Sequence, residues 1–168
     1  WVEPNGNFNT YDKRHLFRMA GEDKHYAMGI KKIITKLKDW DICPQICYDL
    51  RFPVWSRNTF KMTNGVPTAE YDVLLYVANW PEVRSYPWKQ LLIARAIENQ
   101  CYVIGVNRIG ADGNNIAHSG DSMVINPRGE IISKIKANEE SIETVTLDKT
   151  YLEDFRKAFP VGLDSDDF

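Results

Sequence analysis

The chain has 168 residues, enough for one domain with a core of its own, and its 43% apolar and 12% aromatic content excludes a disordered polypeptide. Basic and acidic residues nearly cancel, 21 against 23 for a net charge of −2, so the electrostatic footprint of a nucleic-acid binder is missing. No apolar run approaches the ~20 residues that span a bilayer, so neither a membrane nor a nucleic acid is expected as a partner.

The chain opens on Trp1 rather than Met, which reads as the loss of an N-terminal portion. Residues 1–7 reach a turn-type Asn5-Gly6, and residues 8–11 read as the returning strand of a hairpin. Gly21 and Gly29 punctuate a polar loop. Residues 30–37 and 40–47 follow as strands, with Lys31, Lys32, Lys36 and Lys38 on a solvated face. Pro44 cannot donate to a ladder, so it implies an edge or a bulge. Pro53 suits the first turn of a helix, predicted over residues 52–62 and ended by Asn64-Gly65.

Residues 72–78 are a nearly continuous apolar run, as in a strand covered on both faces. The clearest helix spans 87–100, with Trp88, Leu91, Leu92, Ala96 and Ile97 along one side. Residues 102–106 form another buried strand. A meander of 122–126, 130–135 and 142–147 turns at Pro127-Arg128-Gly129. A last helix over 151–159 leads to an acidic tail with Asp164, Asp166 and Asp167. Strands alternating with helices predict an α/β fold: one mixed sheet whose first face is covered by helices and whose second face needs another layer. No internal repeat or domain boundary is visible, so residues 1–168 belong to one domain.

Three cysteines, Cys43, Cys47 and Cys101, cannot all pair. With no charged-then-apolar leader in view, reduced thiols in a cytoplasmic setting are expected. Cys47 stands apart, because it follows a predicted buried strand and precedes a helix that opens with Pro53. Unpaired backbone N–H groups and the helix dipole there favour negative charge and would lower a thiol pKa. The N–H of Tyr48 is positioned to hold an oxyanion. The alternative is a buried structural cysteine, the commoner fate of a lone thiol. The stretch from Tyr11 to Phe17 is by itself a basic surface patch. Beside a thiolate, however, Lys13 would supply fixed positive charge.

Taken together, Tyr11-Asp12-Lys13-Arg14-His15-Leu16-Phe17 and Cys47-Tyr48-Asp49-Leu50-Arg51-Phe52-Pro53 resemble the nitrilase superfamily of carbon–nitrogen hydrolases. The likeness continues through Asn79-Trp80-Pro81, Arg95-Ala96-Ile97-Glu98-Asn99, Gly120-Asp121-Ser122 and Asn126-Pro127-Arg128-Gly129. It is closest to the omega-amidase branch in Arg51-Phe52-Pro53-Val54-Trp55-Ser56-Arg57. The resemblance implies an α-β-β-α sandwich, incomplete here at its N-terminal end, and a Glu-Lys-Cys triad. Cys47 and Lys13 match two of the triad positions. Glu22 matches a second glutamate that orients groups near the lysine. The general-base glutamate of such enzymes lies upstream of the lysine. Only Glu3 precedes Lys13, and it lies too close in sequence to serve, so the chain alone is expected to be inactive.

The implied reaction hydrolyses the terminal amide of a short 2-oxo dicarboxylate, such as 2-oxoglutaramate or 2-oxosuccinamate, through a Cys47 thioester. No cofactor or metal is required, and the complete protein is expected to be a homodimer. Deaminated glutathione is the alternative substrate. The substrate carboxylate needs a cation, for which Arg84, after the strand end at Asn79 and Trp80, is the candidate. Asp49 and Arg51 read as a charge pair or caps that fix the turn, and Glu98, Asn99 and His118 read as structural. Two competing readings remain. One is a non-catalytic binding or assembly module that docks through residues 159–163 and Phe168. The other is a metal site at Cys43 and Cys47 with His15, His25 or His118, whose spacing suits structural zinc poorly.

Overall fold

A computed structural model of the chain describes residues 1–166. Asp167 and Phe168, assigned above to the acidic tail and the docking end, lie outside the described residues. The main sheet has the order β1-β2-β5-β6-β9. Its central strands β2 (Trp40–Ile46), β5 (Val73–Ala78) and β6 (Tyr102–Asn107) are parallel. The outer strands β1 (Thr35–Leu37) and β9 (Met123–Ile125) run antiparallel to their neighbours. The β1 ladder stops opposite Ile42, so beyond that point β2 has β5 on one side only. Pro44 falls in that edge portion, where a missing donor is tolerated.

Alternation along the strands sorts the core into two faces. Leu74 and Tyr76 of β5 and Val103 of β6 join one cluster with Trp88, Leu92 and Ala96 of helix α2 (Ser85–Asn99). The four-residue spacing of those helix positions puts them in one stripe. Gly105 permits the close approach, since a Cβ there would lie 2.5 Å from Leu92 Cδ1 and 3.0 Å from Trp88 Cζ2.

The opposite face carries Val73, Leu75, Tyr102 and Ile104, covered by Trp1, Trp40, Leu147 and, from helix α3 (Lys149–Ala158), Tyr151 and Leu152. Towards the carboxyl ends of the strands this cover stops. Val77 and Val106, paired in register, are 49% and 48% exposed. The α/β architecture read from the sequence is thus present, with one helix-backed sheet and a second face only partly clothed.

Several local expectations are overturned. The helix predicted over 52–62 is a single turn, α1 (Pro53–Ser56), followed by the hairpin β3 (Phe60–Thr63) and β4 (Val66–Ala69). Asn64 and Gly65 have φ of 51° and 78°, so they form its two-residue turn rather than a helix end. Asn58 stops the helix by taking its bonds elsewhere, to Asn99 and to the Tyr71 carbonyl.

In the predicted meander only β9 is a strand. Residues 130–135 contribute a lone bridge at Ile131, and 142–147 form no ladder among the described residues. A short hairpin, β7 (Ile109–Ala111) with β8 (Ala117–Ser119), appears where no strands were predicted. The first predicted strand of the sheet shortens from 30–37 to β1. Its lysines are not simply solvated: Lys32 Nζ lies 2.5 Å from Glu70 Oε2 and donates to the Arg57 carbonyl at 3.0 Å. The N-terminal hairpin is reduced to a bridge between Val2 and Phe8. Among the described residues no helix is long and apolar enough to cross a membrane.

Candidate active site

Parallel strands end side by side at one edge of the sheet, and the crevice beyond their carboxyl ends is where such folds place ligands. Here β2 delivers Cys47 and β5 delivers Asn79 to that edge. Cys47 opens a 3-10 turn, Cys47–Arg51, with φ of 46°, a left-handed conformation that costs a non-glycine residue about 1–2 kcal/mol. Strain of this kind is kept where surrounding structure enforces it. Arg95, buried in α2, enforces it from below by donating to the Leu50 carbonyl at 2.7 Å.

Lys13 comes from a loop outside the sheet ladders, which bends at residues 14–15. The Gly29 N–H donates to the Lys13 carbonyl at 2.9 Å. A Cβ at Gly29 would meet the Asp12 carbonyl oxygen at 2.0 Å, so only glycine fits beneath this stretch. The Lys13 ammonium donates to both oxygens of Glu22, at 2.8 Å and 2.5 Å, and the Phe17 N–H donates to Glu22 Oε2 at 2.9 Å.

Lys13, Glu22, Cys47, Tyr48, Asn79, Trp80 and Arg84 all line one open cleft of about 1280 Å³. The structure therefore brings together all seven residues singled out from the sequence. The Cys47 thiol lies 3.9 Å from the Asn79 carbonyl oxygen. Trp80 is buried and forms wall, its indole N–H donating to the Arg84 carbonyl at 2.7 Å. The Arg84 guanidinium lies 5.6 Å from the centre of the Phe17 ring and has no ion pair among the described residues. Arg51 lies over the Trp80 ring at 5.0 Å and makes no pair with Asp49, and of the two only Asp49 caps the turn, accepting the Ile46 N–H at 3.2 Å.

The thiol is not tuned as the sequence predicts. Burial pushes the Cys47 thiol above its ordinary value, and the Asn79 carbonyl contact and the Lys13 charge only partly counter it. Burial is the main cause of the correction, and two further features add to it. The segment after Cys47 is a five-residue 3-10 turn without the dipole of a long helix. Glu22 also neutralises much of the Lys13 field.

Glu3, Glu98 and Asn99 fall away from the cleft. Glu3 binds the Asn5 amide in the N-terminal turn. Glu98 receives Arg95 at 2.9 Å, and Asn99 ties Asn58 to the helix, so both hold neighbouring elements. His118 lines the cleft but is buried, with Nδ1 2.9 Å from the Ile116 carbonyl. Cys43 sits in the core beneath α2 while Cys47 faces the cleft, so the two sulfurs do not converge on one ion.

Sequence reasoning missed Asn107. Its side chain accepts the Trp80 N–H at 2.8 Å and donates to the carbonyls of Trp80 and Gly120 at 3.0 Å and 2.9 Å. It thereby clamps the strand end that carries Asn79. An asparagine closing a strand was the available signal.

Comparison with known proteins shows the family. The Carbon-nitrogen hydrolase family model matches residues 1–157. The chain is 50% identical over 167 residues to the omega-amidase YafV of Escherichia coli strain K12, covering 99% of this chain and 62% of that protein. It is 36% identical over 151 residues to the 2-oxoglutaramate amidase of Bacillus subtilis strain 168, covering 90% of this chain and 55% of that one. Among solved structures, XC1258 from Xanthomonas campestris, a CN-hydrolase superfamily protein with an arsenic adduct in its active site, superposes with a TM-score of 0.95. It is 46% identical, over 100% of this chain and 63% of that one. The chain therefore spans less than two thirds of the length of these relatives. A family match over most of the chain, on a fold that seats the matched lysine and cysteine in one cleft, makes this chain a member of the carbon–nitrogen hydrolases.

Proposed function

We propose that the complete protein hydrolyses the terminal amide of a short 2-oxo dicarboxylate, with Cys47 as nucleophile. One observation carries the reading: Cys47, Lys13 and Glu22 face one cleft, with the lysine ammonium held by the glutamate. Cys47 Sγ attacks the amide carbon, and Lys13 Nζ with the Tyr48 N–H holds the oxyanion that forms. The C–N bond then breaks, and ammonia leaves with the proton given up by the thiol. Water attacks the resulting thioester, releasing the acid and returning a proton to sulfur. Arg84 receives the substrate carboxylate, and Asn79 and Trp80 shape the pocket. The relatives' names, omega-amidase and 2-oxoglutaramate amidase, support this substrate class.

On the resemblance to the nitrilase superfamily, both proton transfers use a glutamate as general base. Glu22 is committed to Lys13 and the Phe17 N–H, and no other glutamate among the described residues lines the cleft. On this reading the 168-residue chain binds the amide without turning it over. Three free thiols support a reducing, cytoplasmic setting. The exposed Val77 and Val106 favour a second reading, assembly through the open sheet face, distinct from the homodimer through helical faces expected of the complete protein.

The test is protection of Cys47 from iodoacetamide by 2-oxoglutaramate, by deaminated glutathione and by acetamide, with ammonia release measured in parallel. Protection by 2-oxoglutaramate above the other two, without ammonia, is the expected result. Equal labelling with and without every amide would remove the amidase reading and leave the assembly reading.

A further inference from the structure

Asp49 is fully buried, two residues after the cysteine, and its carboxylate is surrounded by donors from two separate parts of the chain. Oδ1 accepts the backbone N–H of His15 at 2.8 Å and lies 2.9 Å from His15 Nδ1. Oδ2 accepts the Tyr11 hydroxyl at 2.8 Å and the Ile46 N–H at 3.2 Å. The Tyr11 oxygen in turn accepts the Trp55 indole N–H at 2.8 Å, and the His15 ring stacks on Phe52 with centroids 3.7 Å apart.

The arrangement has a direction. Tyr11 and His15 lie two residues to either side of Lys13, and both side chains reach the same carboxylate. Ile46 immediately precedes Cys47. One carboxylate therefore fastens the lysine stretch on both sides of Lys13 and fastens the cysteine turn with its other bond. The lysine stretch makes no ladder with the main sheet. A buried carboxylate with four charge-assisted bonds is strongly held, and such bonds are about twice as strong as neutral ones.

We propose that Asp49 is a positioning residue that sets Lys13 against Cys47. It touches no reacting atom and acts through the lysine stretch. The proposal rests on the reading of Cys47 and Lys13 given above only in that the lysine charge acts on the sulfur. Its test needs no amide turnover, so it can fail or hold independently of the substrate.

The readout is the pH profile of Cys47 alkylation by iodoacetamide. Cys43 and Cys101 are fully buried, so labelling of the folded chain reports Cys47. The Asp49 charge by itself raises the Cys47 pKa, and the Lys13 charge lowers it by more. The two accounts of Asp49 therefore differ in sign. If Asp49 acts only as a nearby charge, Asp49→Asn lowers the midpoint of the profile and speeds labelling at fixed pH. If it positions Lys13, Asp49→Asn raises the midpoint. Labelling at pH 8 then slows by roughly threefold or more, since the thiolate fraction falls tenfold for each unit the pKa rises. Lys13→Met should reproduce the slowing, and adding Asp49→Asn to Lys13→Met should slow it no further.

Where Asp49→Asn fails to fold by circular dichroism, Tyr11→Phe and His15→Phe carry the test. Each removes one side-chain contact to the carboxylate and leaves the backbone bonds in place. Both should raise the midpoint by a smaller amount. A lowered or unchanged midpoint in folded Asp49→Asn overturns the proposal, as does an unchanged midpoint in both milder variants.

Discussion

Lys13 and Glu22 form a two-point ion pair, 2.8 Å and 2.5 Å from ammonium to carboxylate oxygens, in the wall of the cleft that Cys47 faces. The lysine side chain is 14% exposed and the glutamate 27%, so water screens the pair only in part. Lys13 draws the thiol towards ionisation and Glu22 opposes it, while Asp49 adds a smaller opposing effect. Arg51, Arg84, Asp12, Asp112, His118 and the phenols of Tyr11, Tyr26 and Tyr48 complete the ionisable lining.

The balance predicts a resting thiol rather than a thiolate at neutral pH. The labelling midpoint of Cys47 should lie above the ordinary value of 9.0, with the rate climbing as pH rises towards it. Glu22→Gln should bring the midpoint down, and Lys13→Met should take it up. Opposite movements in the two variants, read by alkylation rate against pH, check the assignment. Movement in the same direction would mean the pair reaches the sulfur by displacement and not by charge.

Gly29 is required by space. Its missing Cβ would stand 2.0 Å from the Asp12 carbonyl oxygen, a backbone atom that cannot swing aside as a side chain can. Gly29→Ala must therefore push the lysine stretch outward and break the bond from the Gly29 N–H to the Lys13 carbonyl. We expect a loss of about 1–3 kcal/mol in urea unfolding, the usual range for overpacking. Cys47 labelling should change with it, because the displaced residue carries the ammonium.

How much of this was legible beforehand divides along physical lines. Long apolar runs such as β5 and the stripe on α2 were readable because burial alone dictates them. That Lys13, Glu22, Cys47 and Arg84 share one cleft was readable because reactive residue types sit in a recognisable order. The hairpin β3–β4 was not, because Pro53 announces a helix start and periodicity is weak over so short a stretch. What ended that helix was Asn58 binding Asn99, a partner 41 residues away. Asp49 was read only as a charge-pair partner of Arg51 or a cap for its own turn, since a sequence does not reveal that Tyr11 and His15 come to meet it. The raised thiol pKa escaped for the same reason: it depends on burial and on the Glu22 contact, both tertiary.

The hairpin turn yields a prediction that separates fold from site. Asn64 and Gly65 both adopt positive φ, and side chains other than Asn or Asp resist that conformation. Gly65→Val should cost about 1–2 kcal/mol in chemical denaturation. The turn does not line the cleft, so the alkylation profile of Cys47 should stay where it is. A shifted profile would reveal coupling between hairpin and cleft that no contact described here supplies.

Acid stability should be governed at the other end of the sheet. Asp72, with 7% of its side chain exposed, meets Lys149 and receives Arg156 Nη1 at 2.7 Å. Burial pushes its carboxyl up, but Lys149, the Asp41 N–H and Arg156 together outweigh this and hold it below the ordinary 3.8. A carboxylate depressed in the folded state contributes stability that is complete above its unfolded value and lost as pH falls through the folded one. Unfolding free energy should therefore begin to drop as pH falls below about 4. Arg156 also donates to the carbonyls of Gln100 and Tyr71, at 2.8 Å and 2.9 Å, binding α3 to the start of the strands. Arg156→Met leaves Asp72 short of one partner in a buried setting and should cost about 3–5 kcal/mol at pH 7. Near pH 3 part of the Asp72 population is protonated in the variant already, so the gap to the parent chain should narrow. Urea titrations of both chains at the two pH values decide it, and a gap of equal size at each would assign the stability to the Arg156 carbonyl bonds instead of the ion pair.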